Sequence, residues 1–82
     1  MHEVAVAAGI LEAVRAETAA RTPVRAVKVG IRIGEMAGID PESLAFCFEA
    51  LVAGTDLEPL ELEVERGSAD ELEFCYLELE PT

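Results

Sequence analysis

The apolar residues in the first half of the chain change their spacing once, from a helical to an alternating pattern. Residues 4–20 carry apolar side chains at helical intervals and predict one amphipathic helix, which Pro23 is expected to end. The apolar positions of this helix are Val6, Ile10, Leu11 and Val14. Residues 26–33 alternate instead, which predicts a strand with one side buried. The inward side of this strand is expected to contain Val27, Val29, Ile31 and Ile33.

The second half of the chain is predicted to contain one more helix and two more strands. The segment Asp40-Pro41-Glu42 supplies an N-cap, a first-turn proline and a first-turn acid, so a second helix should begin there and end at Gly54. Its apolar stripe is expected to contain Leu44, Cys47, Phe48, Leu51 and Val52. Residues 60–65 alternate and predict a second half-buried strand. A third strand is predicted near residues 72–79, where the apolar residues change parity and a β-bulge would explain the change.

This order of elements, αβαββ, predicts an α+β fold in which two helices pack on one face of a three-stranded mixed sheet. The first two strands flank a helix and should run parallel, and the third should return antiparallel as a hairpin. Lys28 and Arg32 project from the outer face of the first strand and would complement the glutamates of residues 61–65 if the two strands are neighbours. Phe46 lies off the helical stripe, so it either packs under a neighbouring loop or marks a contact surface.

Composition narrows the class of protein. The chain has 82 residues, enough for one small domain, and 17 acidic against 6 basic residues give a formal net charge of -11. Such a charge repels phosphate backbones and argues against nucleic-acid binding. No apolar run approaches the roughly 20 residues that span a bilayer, and no basic, apolar leader opens the chain, so a cytoplasmic protein without membrane contact is expected. Cys47 and Cys75 are isolated and are expected to be reduced thiols.

The first three residues form a candidate metal site. Met1 offers an α-amine, His2 an imidazole and its own amide, and Glu3 either its amide or its carboxylate. Nitrogen donors held nearly in one plane suit Ni(II) or Cu(II), and since copper binds more tightly, metal supply would have to decide for nickel. Binding should weaken as the pH falls through the range in which histidine takes up a proton. The alternative interpretation is a solvated histidine in a frayed terminus.

Landmarks along nearly the whole chain carry a resemblance to a known family. They are Met1-His2-Glu3, Ile10-Leu11-Glu12, residues 29–35, 38–44, 46–49, Gly54-Thr55, residues 62–66 and Asp70-Glu71-Leu72. Together they resemble the HypA/HybF family, the nickel metallochaperones of [NiFe]-hydrogenase maturation. The combination is far more specific than the first tripeptide alone.

The resemblance implies a Ni(II) site built from the Met1 amine, His2 as the key ligand and Glu3 through its amide. The initiator methionine should be retained, since His2 is bulky. The resemblance places Asp40 near the nickel end, where it is expected first as a helix cap and second as an auxiliary ligand. It also implies docking to a HypB-type GTPase and to the hydrogenase large subunit.

A carrier rather than an enzyme is therefore expected, because the sequence shows no Ser/His/Asp set and no phosphate-binding glycine loop. The expected assembly is a monomer or a weak homo-oligomer. A metal-independent module that docks a maturation GTPase or another partner is the alternative.

One departure from the family pattern concerns zinc. Members of the family carry a subdomain with two C-x-x-C pairs between the second and third strands, whereas Gly67-Ser68-Ala69 occupies that place here. A structural zinc site usually needs four thiolates, so none is expected. The chain is interpreted as a single nickel-binding domain over residues 1–82, with a short turn near 66–70. The subdomain was either lost naturally or removed and bridged by a Gly-Ser linker.

Overall fold

Two helices and three strands follow each other in the predicted αβαββ order. The computed structural model describes residues 2–82. The elements are α1 (Glu3–Ala20), β1 (Val24–Gly34), α2 (Pro41–Val52), β2 (Glu61–Gly67) and β3 (Leu72–Pro81). The strands form one mixed sheet in the order β2-β1-β3, with β2 parallel and β3 antiparallel to β1. The predicted fold class is therefore confirmed. No helix within residues 2–82 combines the length and apolarity needed to cross a membrane.

The ends of α2 follow from local chemistry. The Asp40 carboxylate caps the helix, accepting one hydrogen bond from the Glu42 main-chain N–H at 3.1 Å and another from the Ser43 hydroxyl at 2.9 Å. Pro41 occupies the first turn, where its missing N–H is harmless. Just after the helix, Gly54 takes a φ of 78°, a left-handed conformation in which a side chain is unfavourable. Both predicted boundaries are confirmed.

The predicted hairpin between the second and third strands is wrong, because β1 lies between them. Charge explains this order, since both outer strands carry glutamates and direct pairing would set like charges opposite each other. Lys28 and Arg32 of β1 instead face glutamates on both sides. The Lys28 ammonium nitrogen lies 3.7 Å from a carboxylate oxygen of Glu63 on β2. The Arg32 guanidinium nitrogens lie 3.4 Å from a carboxylate oxygen of Glu65 on β2 and 2.9 Å from one of Glu73 on β3. The predicted pairing of β1 with the glutamates of β2 is confirmed.

The connection between β2 and β3 crosses the end of β1. The Gly34 N–H donates to the Glu71 carbonyl at 2.8 Å, and the Met36 N–H donates to the Ala69 carbonyl at the same distance. A Cβ on Gly34 would lie 2.1 Å from the Ala69 oxygen, so only glycine allows this approach. The turn comprises residues 68–71, slightly later than the turn composition of 66–70 indicates.

The parity change in β3 comes from a bulge, as predicted. The register with β1 passes from Gly30 opposite Tyr76 to Ile31 opposite Phe74, so Cys75 is the extra residue. A second irregularity at Val27 in β1 was not predicted. It leaves Val27 half-buried and places Ala26 in the core instead.

The core lies between the inner face of the sheet and the two helices. One continuous cluster joins them, which shows that both helices cover the same face of the sheet. Its central members are Ala7, Ile10, Val14, Ala26, Val29, Ile31, Ile33, Leu44, Phe48 and Val52. Leu51 departs from the prediction, since it lies at the rim of the α2 stripe and is 39% exposed. Phe46 is 75% exposed, which excludes packing under a loop and leaves the contact-surface interpretation as a prediction.

Replacing Gly9 by alanine is expected to stabilise the protein. Gly9 lies inside α1, where glycine is less favourable than alanine by up to about 1 kcal/mol. An added Cβ meets no atom within 4 Å, so no clash offsets the gain in helix propensity. Chemical denaturation followed by circular dichroism measures the difference, and an unchanged or lower free energy of unfolding contradicts the prediction.

Candidate metal-binding terminus

His2 lies immediately before α1, and its side chain does not cap the helix. It occupies the N-cap position in an extended conformation, with φ -90° and ψ 96°. Its carbonyl accepts the first helical hydrogen bond, from the Val6 N–H at 3.1 Å. The imidazole makes no capping hydrogen bond, and the residue is exposed. Met1, the predicted source of the amine ligand, lies outside the described residues.

The structure brings Glu3 and Asp40 together although they lie 37 positions apart in the sequence. A carboxylate oxygen of Glu3 accepts a hydrogen bond from the Asp40 main-chain N–H at 3.1 Å. This bond joins the start of α1 to the start of α2. It engages the Glu3 carboxylate in holding the fold, which favours the amide of Glu3 over its side chain as a metal donor.

The Asp40 carboxylate is likewise engaged. Its two oxygens accept hydrogen bonds from Glu42 and Ser43, so the capping role is observed. The auxiliary-ligand role stays a prediction. Because Glu3 contacts the main chain of Asp40, the loop before α2 lies against the first turn of α1.

The main chain at the start of α1 is suited to donate nitrogen ligands. Glu3 is the first helical residue, and the N–H groups of a helix's first turn have no acceptor within the helix. Loss of the Glu3 amide proton to a metal therefore breaks no helical hydrogen bond. The positive end of the helix dipole opposes a bare cation, but two deprotonated amides neutralise a divalent ion. A planar Ni(II) complex with these donors would therefore be neutral.

Side chains elsewhere do not form a comparable group. Within residues 2–82, no three side chains of His, Cys, Asp or Glu are gathered as metal ligands. Cys47 and Cys75 are free and half-buried, on α2 and β3 respectively. The candidate site thus depends on main-chain nitrogens and one imidazole.

The hydrogen bond from Asp40 makes folding sensitive to acid through Glu3. Accepting the Asp40 N–H lowers the pKa of the Glu3 carboxyl below its usual 4.5. A carboxyl with a depressed pKa in the folded state stabilises the protein above its unfolded pKa, and this contribution is lost as the pH falls through the folded value. We therefore expect Glu3→Gln to remove part of the loss of stability below about pH 4.5. Chemical denaturation of the wild type and of Glu3→Gln at a series of pH values measures this difference. If the free energy of unfolding falls equally in both proteins as the pH decreases, the prediction is wrong.

The sequence predicted His2, Glu3 and Asp40 as site residues but not the hydrogen bond that joins Glu3 to Asp40. No local pattern encodes a contact across 37 positions. The only available signal was the acidic residue in the first turn of α1, whose attraction to the positive end of the helix dipole already explains its position. The bond becomes visible only once α1 and α2 are packed together.

Comparison with solved structures first shows the class of fold. The chain has the fold of the Ni metallochaperone HypA from Helicobacter pylori, known from a solution structure, with a TM-score of 0.73 over 93% of this chain and 72% of the other, at 14% identity. The sequence comparisons are more specific. The family described as "Hydrogenase/urease nickel incorporation, metallochaperone, hypA" matches residues 1–76. The chain belongs to this HypA family.

Curated relatives support the family assignment, and their alignments give the share of each relative's length that this chain covers. The hydrogenase maturation factor HypA of Chlorobium limicola is 44% identical over 69 residues, which cover 84% of this chain and 60% of the relative. The HypA of Methanopyrus kandleri is also 44% identical over 69 residues, covering 82% of this chain and 49% of the relative. The chain therefore spans about half to three-fifths of the length of these relatives.

Proposed function

We propose that this chain binds Ni(II) at its N-terminus and delivers it during [NiFe]-hydrogenase maturation. The observation that carries the proposal is an exposed His2 directly before α1, whose imidazole makes no capping hydrogen bond to the helix. The proposed ligands are the Met1 amine, the His2 imidazole and the amides of His2 and Glu3. Membership of a nickel-incorporation family supports nickel over copper as the cargo.

The geometry favours a carrier over a permanent metal centre. A site at an exposed terminus is open to a receiving protein, whereas a structural metal is usually enclosed by its ligands. Nickel is therefore the cargo of this domain and not its structural support. The proposed role is non-catalytic and cytoplasmic, without structural zinc: the chain's two cysteines lie on separate elements and fall short of four thiolates.

A HypB-type GTPase and the hydrogenase large subunit are the proposed partners. Docking near the nickel end would place the cargo beside its recipient. The Asp40 loop contacts the first turn of α1, so a partner that covers the terminus also meets this loop. In this proposal Asp40 is first a helix cap and second an auxiliary ligand.

A second candidate function is a metal-independent docking module. It is favoured by Phe46 and Met36, which are 75% and 74% exposed and lie outside the hydrophobic core cluster. In that case the GTPase would bind the chain equally well with and without nickel.

Complementation of a hydrogenase-deficient strain tests the delivery role. Wild-type chain is expected to restore hydrogenase activity at low nickel, and His2→Ala is not. Phe46→Ala serves as the matched variant for the docking alternative. Restoration by His2→Ala together with failure of Phe46→Ala would contradict delivery and support docking. Pull-down of the GTPase with both variants, with and without Ni(II), separates loss of nickel from loss of contact.

A further inference from the structure

The outer edge of β3 is open along its length. Among residues 2–82, no strand pairs with β3 on the side away from β1, because the sheet order is β2-β1-β3. β3 is ten residues long, and on either side of its bulge at Cys75 it presents main-chain N–H and C=O groups to an added strand. Soluble proteins usually cover or blunt such an edge.

An apolar groove runs beside this edge, between β3 and α1. Its two adjoining parts have volumes of about 360 and 620 Å³ and share Ala13 and Phe74. Its floor includes Leu72 and Phe74, which are 46% and 40% exposed although they point to the same side as the core. Besides Val6, Ile10 and Glu17, the helix contributes three small residues to this groove, which leave it open. These residues are Gly9, Ala13 and Ala16.

Gly9 makes the helix side of the groove unusually accessible. No atom of residues 2–82 lies within 4 Å of the position that its Cβ would occupy, so packing within this part of the chain does not explain the glycine. A glycine on a helix surface allows another main chain to approach closely. This observation is independent of the open strand edge and concerns the same groove.

Charge determines which occupant fits. The outer face of β3 carries Glu73, Glu78 and Glu80 and no basic residue. Arg32 and Arg25 of β1 already pair with Glu73 and Glu80, whereas Glu78 forms no ion pair among residues 2–82 and is the glutamate best placed to attract a new cation. A second copy of this chain would bring its own glutamates against them, and two chains of net charge -11 repel each other. A basic segment is attracted instead.

We propose that the β3 edge binds an extended peptide segment of a partner protein that alternates apolar and basic residues. The segment adds a fourth strand to the sheet, with its main chain bonded to β3. Its apolar side chains enter the groove between β3 and α1, and its lysines or arginines lie over the glutamates of the outer face.

A synthetic peptide of about eight residues that alternates valine and lysine is a suitable probe, since strands commonly have this length. Binding to the nickel-free protein is measured by NMR titration of backbone amides at physiological salt. We expect the largest shifts in β3 and in the α1 residues that line the groove. A peptide of the same composition with its valines and lysines in separate blocks should bind more weakly.

Matched variants separate the β3 edge from general attraction to an acidic protein. Glu78→Lys on β3 should weaken binding about five- to tenfold, since one cross-strand attraction becomes a repulsion. Glu61→Lys makes the same charge change at an exposed position on the opposite edge of the sheet and should have little effect. Ala13→Glu should block the groove, whereas Ala8→Glu, exposed on α1 outside the groove, should not.

Several results would overturn the proposal. One is that the block peptide binds as tightly as the alternating peptide. Another is that Glu78→Lys and Glu61→Lys weaken binding equally, and a third is that the NMR shifts are confined to β2 and α2. Self-association of the wild-type chain through β3, detected by sedimentation, would assign the edge to a second copy instead. The titration contains no nickel, so a failure here is distinguishable from a failure of the nickel site.

Discussion

Replacing His2 by alanine is expected to weaken Ni(II) binding by about 100-fold or more. Changes to outer-shell partners of a metal already cost about 10- to 100-fold in affinity, and His2 is proposed as a direct ligand. The substitution removes the only imidazole in the chain. The fold should be unaffected, because the His2 side chain is exposed and makes no capping hydrogen bond. Competition against a chelator of known affinity measures the change.

Two further proteins make this result specific to the terminus. Glu3→Gln retains the amide of residue 3 and should keep most of the affinity. An extension of several Gly and Ser residues before Met1 removes the terminal amine from the site and should weaken binding as His2→Ala does. A single added residue is unsuitable, since an amine, two amides and the imidazole would again form a planar set of four nitrogens. Unchanged affinity in both His2→Ala and the extended chain would contradict the terminal site.

Replacing Phe48 by alanine is expected to destabilise the fold by about 3–5 kcal/mol, the usual result of deleting a buried phenylalanine. Phe48 is 2% exposed and lies in the centre of the core. Small domains are stable by only about 5–15 kcal/mol, so this loss is a large share of the total. Chemical denaturation followed by circular dichroism measures it, since the chain has no tryptophan.

Phe46 provides the matched control two positions away. The same substitution there removes a side chain that is 75% exposed, and the free energy of unfolding should change by no more than about 0.5 kcal/mol. A similar loss at both positions would show that α2 does not face the sheet through the row Leu44, Phe48 and Val52.

Features with local causes were predictable from the sequence. The cap at Asp40 and the stop at Gly54 depend on residues within one helical turn, and both are found where expected. The β3 bulge was also predictable, because the apolar residues change from one face of the strand to the other within the sequence of that strand. The irregularity at Val27 was not predictable, because the residues around it continue to alternate in sequence while the register with β3 shifts.

Features that depend on distant segments were not predictable in the same way. β3 lies beside β1 because Lys28 and Arg32 on β1 attract the glutamates of both β2 and β3. Predicting this position requires the charges of all three strands to be considered together. The sequence identifies Gly34 as a conformationally permissive residue, but only the fold shows why it is glycine: a side chain there would collide with the main chain at Ala69. The bond between Glu3 and Asp40 likewise depends on helix packing. The proposed nickel ligands were predicted from the chemistry of three adjacent residues and from a family resemblance.

A titration of the untagged chain with Ni(II) at neutral pH, following absorbance and proton release together, tests the nickel site most directly. We expect one equivalent of Ni(II) to give the absorption of a planar nitrogen complex and to release about three protons, from the terminal amine and two amides. Release of about one proton or fewer, without that absorption, would show that the amides of His2 and Glu3 do not bind the ion.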